Sequence, residues 1–482
     1  MNMVNALYGF FMIPILINYF GKAEYGIIGL AQSVNAYMQI MDMGLNSTNV
    51  RFFSSWLAKG DNDKVKKLFS TCTAFYGFVG IVNAAILAIL LVFSSSIFNL
   101  NAEQDVVLKS LLGVLMVAAI VNWTTSCFNQ IIQATENVAW TQKRLLITKL
   151  LMALVLVATV VFRFNIITFF ILTTVCNWII LPWVIRKIRE VAPMVNFNIK
   201  FDRDTFKDIL PYTLNVFSFT IFSFSFQNLR PIFLGIQGTP ESVTDFKVIM
   251  GIYGIIMSIS TVFLNSLLPS ASKAIARKDG NAYQLIAYRG TKFIMLFMGF
   301  CVFGMMSCSR ELLLLYVGEQ YLYLLPWLNI LLLTLLSNHI LGISSLILGG
   351  SNIKPLSRMT AFTSVVSLVV AWCMIPYFEV GGAVIATVVY TMLQLLFYYI
   401  YYWPRIMGID SIQILLKTFL PVIISSSIIY LGVVAIPDLG NLWISILVKC
   451  VLFALIYIAF VFFFLDKHDK NYLLGLMTQR GS

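Results

Sequence analysis

Charge is scarce in this chain and histidine nearly absent: 11% of its 482 residues are charged and two are histidines. Soluble domains carry about a quarter charged residues, so a soluble fold of this size could not cover its surface. Two histidines leave almost nothing for metal or acid–base chemistry, and no Walker A, HExxH or GxSxG pattern occurs. The chain therefore reads as a protein other than an enzyme, without cofactor or metal. Cys72, Cys127, Cys176, Cys301, Cys308, Cys373 and Cys450 lie in or at the ends of apolar runs with no CxxC spacing. They read as small hydrophobes and not as disulfides or ligands. No cleavable signal-peptide pattern is visible, because the first apolar run leads directly into further ones.

Hydrophobicity is what the chain has in excess, at 59% of residues with a mean hydropathy of +0.87. Runs long enough to cross a hydrocarbon core of ~30 Å recur fourteen times, at 3–20, 25–48, 68–92, 107–130, 144–162, 165–185, 212–236, 246–268, 290–308, 324–348, 356–376, 381–403, 412–435 and 442–465. These are spans 1 to 14 of an all-α integral membrane protein. Of the 33 Lys and Arg, 26 lie in loops after even-numbered spans or in the C-terminal tail, and five in the opposite loops. The positive-inside rule then puts both termini in the cytoplasm. The +12 net charge so belongs to membrane topology and does not point to nucleic acid. Loops on the outer side are all short, which excludes an external catalytic domain.

Within the apolar background, residues 32–49 (QSVNAYMQIMDMGLNSTN) carry Gln32, Asn35, Gln39, Asp42, Asn46 and Asn49 at alternating spacings of three and four. On a regular helix these six share an arc of about 100°. Span 4 bears a similar stripe of Asn122, Ser126, Asn129, Gln133 and Glu136. An offset of 219 residues lays Gln39, Asp42 and Asn46 on Ser258, Thr261 and Asn265 of span 8. An offset of 216 lays the span-4 stripe on Asn338, Gly342, Ser345, Gly349 and Asn352 of span 10. Six spans separate each pair, so the two halves have the same orientation and are expected to be related by an axis along the membrane normal. The expected organisation is a six-helix half over 1–190, an amphipathic cytoplasmic linker over 191–211, a second half over 212–405, two added helices over 406–466 and a tail over 467–482. Polar stripes are costly against lipid, so matched stripes predict a hydrated cavity between the halves. Interhelical hydrogen bonding is the competing reading of any one stripe.

The segments FGKAEYG (20–26), MDMGLNSTNVR (41–51), AKGDN (58–62) and VGGAVIAT (380–387) resemble the bacterial polysaccharide exporter family. That family, which includes the Wzx-like O-antigen and capsule repeat-unit flippases, lies within the multidrug/oligosaccharidyl-lipid/polysaccharide exporter superfamily. The shared positions are Gly21, Tyr25, Gly26, Asp42, Gly44, Leu45 and Arg51. Two features depart from the pattern. Arg230 and Pro231 precede Gly235 where an acidic residue is usual, and the stretch ahead of Gly21 is shorter. The resemblance implies flipping of undecaprenyl-diphosphate-linked oligosaccharide across the bacterial inner membrane by alternating access, for lipopolysaccharide or capsule synthesis. It also implies polysaccharide polymerase and chain-length proteins as partners. A monomer suffices for a cavity within one chain.

Span 7 carries Thr213, Thr220, Ser223, Gln227 and Arg230 on one face. A guanidinium fork suits bidentate phosphate contact, so Arg230 is a candidate for the pyrophosphate; snorkelling to outer headgroups is the alternative. Asp42 can pair with a cation, bind a coupling ion or take up a proton. Arg51 either anchors span 2 at the inner headgroups or shares the family motif's role. Lys149 either guides an anionic headgroup or snorkels. His339 invites a proton relay or a hydrogen-bonded packing role. With Gln39, Asn35, Asn46, Asn122, Asn129 and Asn338, these residues form the candidate substrate-binding set, and Asp42 and His339 are the ion-coupling candidates. A drug/cation antiporter of the same superfamily and a membrane polymerase or ligase are the competing functions.

Overall fold

The computed structural model describes the chain except for residues 1, 198, 278–279, 350–353, 438–439, 466–468 and 470–482. Among the described residues there is helix but no strand. Asn352, the side chain of Asn265 and nearly all of the 467–482 tail lie outside them.

Among the described residues, eleven helices are long and apolar enough to cross a membrane, running from Asn62–Ile97 to Leu442–Phe464. They coincide with spans 3 to 6 and 8 to 14. Span 7 is a twelfth, bent by 52° between Arg203–Ser218 and Thr220–Gln237. Spans 1 and 2 are helical but fall short of that length test: Leu7–Phe20 is short, and span 2 is split into Lys22–Met38 and Leu45–Ala58. Each of the fourteen apolar runs is thus mainly helical where it is described, and eleven of them, or twelve with span 7, meet the length test. Their solvent is visible on their surfaces: Phe78, Val92, Val161, Leu431, Leu455 and Phe463 are all exposed, a pattern that belongs in hydrocarbon.

Short polar side chains start many of these helices. Asp61, Asn101, Asn165, Asp202 and Asn441 each accept a hydrogen bond from a first-turn backbone N–H. Such caps satisfy donors that a helix terminus leaves without partners. Asp202 decides the shape of the expected linker. It caps Arg203–Gln237, so residues 203–211 are the opening turns of span 7 and not a separate amphipathic helix.

The chain forms two compact units, Met1–Lys247 with Thr360–Ala383 and Val248–Met359 with Val384–Ser482. This division cuts the chain differently from the repeat, because span 7 and most of span 11 join the first unit. In that unit an added Cβ on Gly26 would lie 1.8 Å from the Pro240 carbonyl oxygen, so the start of span 8 rests on bare backbone of span 2. Thr213 bonds Thr48 at 3.2 Å, tying span 7 to the second piece of span 2. In the second unit Thr291–Ser307 is the hub, packed by spans 10, 13 and 14. Tyr457 donates from span 14 to the Leu296 carbonyl at 2.8 Å. Spans 4 and 10 share a local feature: each breaks midway, and the short helices Ser126–Ala134 and Leu341–Gly349 follow. The breaks recur close to the 216-residue offset of the stripes.

Candidate functional site

The site begins with a failure of helix geometry. Met43 and Gly44 are both left-handed, at φ 52° and 82°, which ends the helix that a uniform stripe requires. Gly44 is suited to this because it lacks the Cβ that disfavours positive φ. A Cβ there would also lie 2.8 Å from Val216 Cγ1 of span 7. Asp42 stands just before the break, and its Oδ2 accepts from the Asn46 backbone N–H at 3.0 Å. The carboxylate thus caps the next helix, where the helix dipole favours negative charge.

The break redistributes the stripe. Gln39, Asp42 and Asn46 line a cavity of about 530 Å³ in the first unit. Asn49 turns inward, donating to Gln130 Oε1 at 2.8 Å and accepting from the Cys72 thiol. Gln32 is exposed and Asn35 half-buried, and neither lines the cavity. Span 4 supplies Ser126, Asn129, Gln130 and Gln133, span 5 supplies Thr141 and Arg144, and span 7 supplies Thr220 between Phe217 and Phe224.

A directed hydrogen-bond chain holds one wall. Gln130 Nε2 donates to the Tyr76 hydroxyl at 2.8 Å, and that hydroxyl donates to Asp42 Oδ1 at 2.6 Å. Both Asp42 oxygens are therefore occupied from within the protein. The facing groups are not. Asn129 Oδ1 and Arg144 Nε are buried without a hydrogen-bond partner, and among the described residues no carboxylate pairs with Arg144. Leaving a buried polar atom unpaired costs about 1–3 kcal/mol, more for a charged group. The cavity thus sets this cation among amides, hydroxyls and the occupied Asp42 carboxylate, an arrangement that can hydrogen-bond an anion carrying polar substituents.

The remaining candidates fall outside this lining. Asn122 accepts from the Trp178 indole at 3.0 Å. Ser223 bonds its own helix at the Thr220 carbonyl, and Gln227 is exposed. Arg230 is buried, with Nε donating to the Phe226 carbonyl at 3.1 Å and its guanidinium over the rings of Phe226 and Phe246 at 4.4 and 5.3 Å. Arg51 is exposed and stacks on Tyr212 at 4.3 Å. Lys149 sits over the Tyr8 ring at 4.8 Å. In the second unit Asn338 donates to Ser260 Oγ at 3.1 Å. Fully buried His339 engages both ring nitrogens, at 2.7 Å from the Leu336 carbonyl and 2.7 Å from the Tyr399 hydroxyl.

Sequence reasoning passed over Arg144, Tyr76 and Gln130. Arg144 is hidden in the tally of even-loop cations because it lies seven residues after Asn137, the N-cap of its helix. That is roughly 10 Å along the axis, about two turns into the helix. Tyr76 and Gln130 look like ordinary residues of apolar spans until the fold brings them to Asp42. No group of three His, Cys, Asp or Glu that could hold a metal occurs among the described residues.

At their odd-loop ends the helices of this unit close on each other. Lys22 Nζ lies 2.8 Å from Asp245 Oδ1, and the Thr244 hydroxyl donates to the Lys22 carbonyl at 2.6 Å. Ser242 donates to Glu379 at 2.7 Å. Of the spans joined here, span 2 carries its cavity residues toward its other end.

Comparison with known proteins places this architecture. The solved structure of the lipid II flippase MurJ in its inward closed conformation covers 95% of this chain and 96% of its own, with a TM-score of 0.72 at 15% identity. An inward-facing multidrug resistance MATE transporter of the MOP superfamily covers 84% and 94%, with a TM-score of 0.65 at 15% identity. An outward-facing MATE structure covers 84% and 96% at a TM-score of 0.51 and 14% identity. At such identities the likeness is one of fold. No curated protein matches the sequence. Residues 1–275, more than half of the chain and the whole of the cavity lining, match the family described as "Polysaccharide biosynthesis protein", and the chain belongs to that family.

Proposed function

We propose that the protein flips polyprenyl-diphosphate-linked oligosaccharide repeat units from the inner to the outer leaflet of a bacterial cytoplasmic membrane, by alternating access and with both termini in the cytoplasm. The observation that carries this reading is the partnerless guanidinium of Arg144 in a polar cavity among apolar helices. Arginine forks suit pyrophosphate oxygens, and the cation gains the hydrogen bonds it lacks when the lipid carrier arrives. Gln39, Asn46, Asn129 and Gln133 then meet the sugar hydroxyls. Asp42, held by Tyr76 and Asn46, shapes the break in span 2. Arg230 braces span 7 against Phe246. Membership of a polysaccharide biosynthesis family supports this cargo class, and the Lys22–Asp245 closure at the far helix ends supports a cavity accessible from the cytoplasmic side.

Complementation of a strain lacking its own repeat-unit flippase tests the reading, scored by surface polysaccharide and by trapped undecaprenyl-diphosphate-linked intermediates. Wild type is expected to restore polymer, while Arg144→Leu accumulates lipid-linked units at equal membrane abundance. Full complementation by Arg144→Leu would refute the role of the cavity. The likeness to MATE structures favours a second reading, a drug/cation antiporter. Lowered drug accumulation without restored polymer in several flippase-deficient strains would establish that one instead.

A further inference from the structure

The second unit holds a cavity of about 340 Å³ that the transport reading does not use. It lies at the odd-loop ends of spans 9, 10, 13 and 14, the outer face in the proposed orientation. One wall carries Glu311, Lys449 and Arg310, another carries Asn329, and Tyr430 with Val434–Pro437 makes an apolar side. Lys449 Nζ bonds Glu311 Oε1 in a pair whose side chains are 7% and 1% exposed. The other carboxylate oxygen, Oε2, is buried with no partner, and so is Asn329 Oδ1.

Both orphans are acceptors, and this restricts the occupant. A bare cation would meet two positive side chains against one carboxylate. A simple anion accepts hydrogen bonds without donating them, so it would leave both oxygens unsatisfied and face Glu311. The occupant must donate to Glu311 Oε2 and Asn329 Oδ1, accept from the basic groups, and lay an apolar face on Tyr430. Vicinal hydroxyls on a carbon ring meet all three demands, since each hydroxyl donates and accepts. The volume is at the small end of ligand pockets, which suits one sugar unit.

We infer that this cavity is a saccharide-binding site, with Glu311 and Asn329 as hydroxyl acceptors and Tyr430 as the platform. The inference rests on the cavity's own chemistry and stands apart from the flipping reaction. Saturation-transfer NMR on the full-length protein tests it, with methyl glycosides of glucose, galactose and mannose and with N-acetylglucosamine as probes. The detergent must lack a sugar headgroup, which would compete. Thermal shift is unsuitable because sugars stabilise proteins generically by exclusion. The expected result is saturable transfer to at least one probe, with binding about tenfold weaker in Asn329→Leu, the upper range for one lost hydrogen bond. Tyr430→Ala, which leaves the ion pair intact, is expected to weaken the same probe. No saturable transfer, or transfer unchanged by both substitutions, overturns the site and leaves it a water pocket. Because the assay needs no transport, its failure leaves the Arg144 reading untouched. Given binding, complementation by Asn329→Leu identifies the source of the ligand: lost polymer marks the translocated cargo, and unchanged polymer marks a free external saccharide.

Discussion

Arg144 and Lys449 are both cations set within apolar helices, and the structure treats them in opposite ways. Lys449 is paired with Glu311, whereas Arg144 lines a cavity with no carboxylate partner among the described residues. A charge in hydrocarbon is expensive and persists when it is paired or serves a function. The paired cation in the second unit is therefore tied to stability first. The unpaired one in the first unit is the one we propose to meet the lipid carrier.

Breaking the paired cation should have the largest effect. Glu311→Ala removes the carboxylate that pairs with Lys449 and is expected to cost about 3–5 kcal/mol, read as loss of thermal stability in detergent, while a Glu311→Met/Lys449→Met double variant stays near wild type because buried pairs are often replaceable by apolar residues. A double variant as unstable as the single one would break the comparison. Arg144→Leu should do the reverse: full stability, and cargo binding weaker by about 10- to 100-fold, the worth of a charged hydrogen bond. An unstable Arg144→Leu protein would make that arginine structural too. Gly44→Ala forces a Cβ onto Val216 and a strained φ, at a cost of about 1–3 kcal/mol, measurable by the same unfolding assay; a neutral outcome would remove the span-2 break from the account of the site. The smallest effect is expected from Asn122→Ala, below about 1 kcal/mol, since its Trp178 bond lies outside both cavities. A transport defect in that variant would enlarge the site.

Gln39, Asp42, Asn46, Asn129 and Gln133, which line the first unit's cavity, were legible as polar stripes because polar residues at helical spacing stand out against apolar sequence. Asn49 carries the same signal but lies beyond the turn at Met43–Gly44 and points to Gln130, while Asn35 and Asn122 stand outside the cavity lining. Arg230 drew attention as a cation within a span, at the end of a polar face, yet it packs against two phenylalanine rings. Arg144 drew none, because its position near a helix start resembles that of any loop cation.

Composition and periodicity alone determined the solvent, the fourteen helical segments and the polar faces. Each of those follows from the free energy of placing a residue type in hydrocarbon, a property of the residue and its spacing. The tertiary structure alone decided which faces meet, which carboxylate finds a donor and which cation does not. Those outcomes depend on helices far apart in sequence: Tyr76 reaches Asp42 across 34 residues, and Lys449 reaches Glu311 across 138. Spacing within one helix carries no information about such partners.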